Sequence, residues 1–213
     1  TTVGSDNYMN LGDNFVQAGL AYRITPFNTK APGAKNFDTE KVYNNVMNRF
    51  KWGGLDKPGL YIDETVMRMC YTHRHLLAQL AMQLIAEGQN AKAEKVLRKA
   101  EKVLPEYNVP YTFMSGAADM ARAYALIGKK ADAARILNKV WADAKSYADY
   151  YLQLTGSRFM MSQNDVLRQL YIMQNIADIT QACDHSLADQ RLKTVNALYA
   201  VYQAKGGAPY DGE

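Results

Sequence analysis

The stretch LAQLAMQLIAEGQNAKAEKVLRKAEKVLP, Leu77 to Pro105, limits the possible folds more than any other part of the chain. Apolar residues recur every three or four positions on both sides of a single glycine, Gly88. Glycine takes the left-handed backbone that ends a helix at no steric cost. Ala93, Val96, Leu97, Ala100, Val103 and Leu104 then restart the helical period, and Pro105 cannot continue it. The spacing predicts two antiparallel helices joined by a tight turn, one running from Asp63 towards Glu87 and one over residues 90–104.

Small side chains make the pattern more specific. Ala81, Ala93 and Ala100 stand where the two helices must cross, and anything larger would push the axes apart. Together with Leu77, Leu80, Leu84, Leu97, Gly88 and Pro105 they follow the tetratricopeptide spacing. The pattern returns with Met120, Ala121, Tyr124, Gly128, Ala133, Leu137 and Val140, displaced by about 40 residues instead of the usual ~34. The link Glu106–Tyr111, with Pro110, accounts for the excess, and the second helix of this pair runs on into SYADYYLQL. A third pair, Gln163–Cys183 and Ser186–Ala204, keeps the apolar faces but lacks the small residues and the glycine turn, as a closing repeat does. The expected fold is all-α: a tetratricopeptide-like superhelix of antiparallel helix pairs near 64–105, 112–154 and 163–205, within a domain spanning 38–207. Residues 208–213 are expected to fray.

The N-terminal part differs. Glycines 4, 12, 19 and 33 and prolines 26 and 32 deny residues 1–37 a long helix. GLAYRITPF, Gly19 to Phe27, reads as an extended segment or short strand packed on the helices, and Asn28–Asn36 reads as loop. A short helix follows over Asp38–Phe50, capped by Asp38, with Val42, Tyr43, Val46, Met47 and Phe50 on one face. Lys51–Gly59 is a loop whose Trp52 is expected to pack over the helix end.

The bulk numbers narrow the function. A chain of 213 residues that is 48% hydrophobic buries a sound core without staples. A net charge of +4 gives no strong basic patch for nucleic acid. The run Lys92–Lys102 is interleaved with Glu94 and Glu101, and Glu94 stands four before Arg98, so it reads as a solvated helix face. No apolar window of about 18 residues spans a membrane. The start at Thr1 suits an excised piece of a longer protein. Cys70 and Cys183 sit in apolar helical pattern and read as buried free thiols.

Reactive constellations are sparse. Cys70 and His73 share a helix face but His75 points elsewhere, so three converging zinc ligands are not assembled and no metal or cofactor is expected. Asp63 and Glu64 open a helix, where acids cap it and complement its dipole. Cys183 and His185 mark a helix end, and WGGLDKPG lacks the context of a phosphate loop. No catalytic residue is expected in this chain. The 15 tyrosines stand out instead. Tyr147, Tyr150 and Tyr151 fall within nearly two turns, with Tyr147 and Tyr151 on one face. Their rings are expected to pack hairpin on hairpin; as an alternative, they or Trp52 offer a stacking platform for sugar.

Four segments in order, NFVQAGLAYRITPF, VYNNVMNRFKWGG, YIDETVMRMC and LAMQLIAEGQNAKAEKVLRKAEKVLPEYNVPY, resemble the large Bacteroidetes membrane proteins long catalogued as a domain of unknown function. Their membrane half is similar to GT-C glycosyltransferases, the class that holds protein O-mannosyltransferases. The resemblance implies that this chain is the soluble C-terminal portion, on the periplasmic face of the inner membrane, with the catalytic half upstream. Its expected role is a non-catalytic module that binds a protein, a peptide acceptor or its own membrane-embedded half; the alternative is a carbohydrate-binding module. In a tetratricopeptide array the first helix of each pair lines the groove. Here that row holds His75, Ala78, Met82 and Ile85, then Ser115, Ala118 and Arg122. Ala78 and Met82 replace the Lys and Asn of carboxylate-clamping arrays, so His75, Met82, Arg122, Tyr147 and Tyr151 are the candidate contact residues.

Overall fold

The computed structural model describes residues 8–208. Among them are eight α-helices and one two-stranded sheet, an all-α fold with a short strand-containing segment at its N-terminal side. Among the described residues no helix is long and apolar enough to cross a membrane.

The N-terminal segment folds as a small hairpin. Strand β1, Phe15–Gln17, pairs antiparallel with β2, Tyr22–Ile24, with Val16 opposite Arg23. The second strand was legible in the sequence and the first was not. Gln17 also bonds through its backbone to Asn36 and Asp38, which seats the hairpin beside the buried Phe37. Asp38 then caps α1, Thr39–Asn44, by accepting from Lys41 N–H at 3.1 Å. A π-helical turn, Asn45–Arg49, extends α1, and Val42 and Val46 are fully buried. Trp52 lies against Phe50 and His73, with ring centroids 5.9 and 5.6 Å away, and so seals the helix edge as expected.

Three helical hairpins follow in series. Helix α2, Glu64–Ala86, is capped by the Asp63 carboxylate, which accepts from Val66 N–H at 2.9 Å. It turns at Gly88, whose φ is +74°, into α3, Asn90–Val103. Helix α4, Ala117–Leu126, turns at Gly128 (φ +79°) into the long α5, Lys130–Gln153. The two glycine turns share one bonding pattern: Gln89 N–H donates to Leu84 C=O at 2.7 Å and Lys129 N–H to Tyr124 C=O at 2.9 Å, which satisfies carbonyls at the helix end. A short helix the sequence did not announce, α6, Gly156–Met161, precedes α7, Gln163–Gln181. Asp184 caps α8, His185–Ala204, by accepting from Leu187 N–H at 3.0 Å, in place of a glycine turn.

Ala81, Ala93 and Ala100 are fully buried, as are Ala121 and Ala133 in the second hairpin. Each lets a neighbouring backbone approach closely while Leu77, Leu80, Leu84, Leu97, Ile136 and Leu137 fill the space between. Packing runs in sequence: α2 on α3, α2 on α4, α4 on α5, α5 on α7 and α7 on α8. Most of the expected frayed tail lies outside the described residues; Ala208 accepts from the Tyr202 hydroxyl at 3.0 Å.

Candidate functional site

The contact between α2 and α4 defines the surface to weigh first. Gly116 precedes α4 with φ +76°, and a Cβ there would lie 3.0 Å from the His75 backbone nitrogen, so only glycine fits. This close approach buries Ala78, Ser115 and Ala118. These three were expected to line an open groove; instead they form the seam between the helices, because periodicity tells which face is covered but not by what. Gln79 and Arg122 remain on the outside with His75, and Met82 is half-buried against the core. On α2, His75, Gln79 and Met82 follow one face; on α4, Asp119 and Arg122 follow another beside it.

His75 bridges the two helices. Its Nδ1 lies 3.5 Å from Asp119 Oδ2, and its Nε2 lies 3.1 Å from the Met114 carbonyl oxygen. Both neighbours only accept, so the doubly protonated ring satisfies both at once. The hydrogen bond to Asp119 accordingly pushes the imidazole above its ordinary value, against the opposing effect of burial.

Two buried arginines escaped the sequence analysis. Arg74 is fully buried in α2 and donates to the carbonyls of Leu104 (3.0 Å), Val109 (2.6 Å) and Pro110 (3.1 Å). Its guanidinium also sits 4.9 Å from the Tyr111 ring centroid. Desolvation lowers its pKa to about 10, yet it stays charged at neutral pH and clamps the link between the first two hairpins. Arg191, in α8, donates to Thr180 Oγ1 and, at 2.6 Å, to Asn138 Oδ1, and lies over Trp141. Both guanidiniums hold elements together.

The run Lys92–Lys102 is more than a solvated face. Arg98 meets both oxygens of Asp132 on α5, at 2.8 and 2.6 Å, as well as Glu94 and Glu101. Arg135 pairs with Glu101, which also accepts from the Tyr124 hydroxyl at 3.1 Å, and Lys129 pairs with Glu94 at 2.9 Å. The network joins consecutive hairpins. Arg98 holds the Asp132 carboxyl below the usual carboxylate range.

The tyrosine cluster is open. Tyr147 and Tyr151 stack with centroids 6.4 Å apart, and Tyr150 meets Tyr151 edge-on at 5.3 Å. Tyr147 is 50% exposed and Tyr150 58%. Two of the three rings therefore do not pack hairpin on hairpin, which corrects that expectation. Trp52, the other candidate platform, lies half-buried with Phe50 and His73.

Cys70 and Cys183 are free thiols, and burial raises both pKa values. His73 turns its Nδ1 to the Met69 carbonyl at 2.6 Å. Among the described residues no three His, Cys, Asp or Glu side chains converge to hold a metal ion. No family model matches the chain, and neither a curated protein nor a solved structure matches it.

Proposed function

We propose that this chain is a non-catalytic, tetratricopeptide-like interaction module that holds a protein or peptide on the shared outer face of α2 and α4. The carrying observation is a polar row, His75, Gln79, Asp119 and Arg122, presented by two helices locked together through Gly116, Ala78 and Ala118. A rigid seam beneath exposed polar groups lowers the ordering cost of binding. The half-buried Met82 adds an adaptable apolar contact beside them. From the resemblance comes the further expectation that the partner is a glycosylation acceptor or the membrane-embedded half of a glycosyltransferase-like protein, met in the periplasm.

The test is affinity capture by the intact chain, from periplasmic extract and from detergent-solubilised membranes of the source cells, compared with an Arg122→Glu, Gln79→Ala variant. A partner retained by the parent chain and lost by the variant supports the reading. Equal capture by both chains, or none, counts against it.

A second reading is favoured by the open tyrosine rings. Tyr147, Tyr150 and Tyr151 offer stacked and edge-on faces of the kind that pack on a pyranose ring. Glycan-array binding that disappears with Tyr150→Ala and persists with Arg122→Glu would select this reading over the first.

A further inference from the structure

The N-terminal hairpin ends in an open edge. Ala18 N–H donates to Ala21 C=O at 3.0 Å, and Thr25 N–H donates to Asn14 C=O at 2.8 Å. With Val16 opposite Arg23, alternate residues exchange the bonds of an antiparallel pair, so Ala21, Arg23 and Thr25 turn their backbone groups towards β1. Tyr22 and Ile24 turn theirs away. Gln17 obeys the same alternation on the other side, bonding outward to Asn36 and Asp38. The β1 edge is thus paired, while among the described residues the outward N–H and C=O groups of Tyr22 and Ile24 meet no backbone partner.

Side chains add to the case. Tyr22 is 62% exposed and Ile24 60%, both on one face, while Arg23 points to the other face, half-exposed and 3.6 Å from Asp38. Hollows of about 490 Å³, beside Val16, Arg23 and Phe37, and about 360 Å³, beside Phe15, Gln17 and Tyr22, flank the two faces. We propose that the β2 edge accepts an extended peptide of another protein as a third strand, carrying an acidic residue between two apolar ones. The outward backbone groups supply the affinity, and alternate side chains supply the selection. The acidic residue falls opposite Arg23; the apolar ones fall opposite Tyr22 and Ile24. A second copy of this chain fits less well, because the register that pairs all of β2 with itself sets Arg23 against Arg23, and like charges directly opposite repel. This surface adjoins the α2 and α4 face at Gln79, whose amide donates to Gln17 Oε1 at 3.3 Å, but the outward backbone groups of β2 do not depend on that face.

The probe is a capped pentapeptide, TVEVT, titrated to millimolar concentration into the isotope-labelled full chain. Amide shifts centred on residues 21–25 are expected. Methylating both valine nitrogens of the peptide abolishes them without altering the protein. Ile24→Pro, which removes one outward N–H, weakens binding about tenfold. Arg23→Glu weakens TVEVT about fivefold and strengthens the lysine counterpart TVKVT by a similar factor. Absence of shifts at residues 21–25, equal binding of the methylated peptide, indifference to the charge swap, or self-association through β2 without peptide would each overturn the proposal.

Discussion

At the level of single residues, His75 stands with both ring nitrogens against acceptors, so its protonated form is tied to the native state. Asp119 raises its folded pKa above the unfolded value of about 6.5. Of the other groups near it, Arg74 works against that shift and the Met114 carbonyl works with it. Linkage then fixes the sign. The contribution to stability is fully present below the unfolded pKa and is lost as pH rises through the folded one. Urea denaturation should show the parent chain losing more stability than His75→Gln as the pH rises above the unfolded value of about 6.5. A His75 ring that titrates in the folded chain below its unfolded value would refute this. Arg74 acts by a different route. Arg74→Met leaves three carbonyls of the Leu104–Pro110 link without their donor and should cost about 3 kcal/mol in the same assay. Arg74→Lys should fall between, since an ammonium cannot fork to all three. An Arg74→Met chain as stable as the parent would show that the clamp is dispensable.

Between elements, two glycines with nearly equal φ separate conformation from contact. Gly88 stands at +74° with open space around the position a Cβ would take. Gly116 stands at +76° against the backbone and ring of His75. Gly88→Ala should therefore cost only the left-handed backbone penalty, about 1 kcal/mol. Gly116→Ala should cost that and more, because α4 must move off α2, and thermal denaturation of the two variants side by side would show the gap. Equal losses would mean that the seam yields without strain. The same comparison explains what was legible beforehand. Gly88 and Gly128 are visible in the sequence because each interrupts an apolar period, and so is Asp38 as a cap. Gly116 is not, because its constraint comes from a helix some forty positions earlier. Strand β1 is no shorter than β2, but its partner on the far side, Asn36–Asp38, is loop and announces no strand beside it. Arg74 shares its helical row with Cys70, Leu77, Ala81 and Leu84, so the apolar period itself places it inside; its partners are backbone carbonyls, which leave no mark in the amino-acid pattern. Of the candidate contact residues, His75, Arg122 and Tyr147 are exposed and Met82 and Tyr151 are half-buried, whereas the seam residues Ala78, Ser115 and Ala118 are covered, because the alternation of faces does not disclose which neighbour covers them.

Across the whole molecule, the hairpins touch mainly their neighbours, so stability should be distributed along the chain and not shared evenly. The first two hairpins are joined twice, through the α2–α4 seam and through the Arg98–Asp132 and Arg135–Glu101 pairs between α3 and α5. The third hairpin meets the rest chiefly through α5 on α7, with Arg191 reaching back to the neutral Asn138. Screening distinguishes the two junctions. Ion pairs between half-exposed side chains weaken as the screening length contracts to about 3 Å at 1 M salt, whereas apolar packing and a bond to an amide do not. Native-state amide exchange should therefore show α8 opening before α4 and α5 at any ionic strength, since α8 rests mainly on one neighbour. Raising the salt should lower the protection of α3 relative to α7, and Asp132→Asn should remove most of that salt effect. If α3 and α7 lose protection in step as salt rises, the charged network does not hold the first two hairpins as a unit. The polar row on α2 and α4 would then owe its rigidity to the Gly116 seam alone.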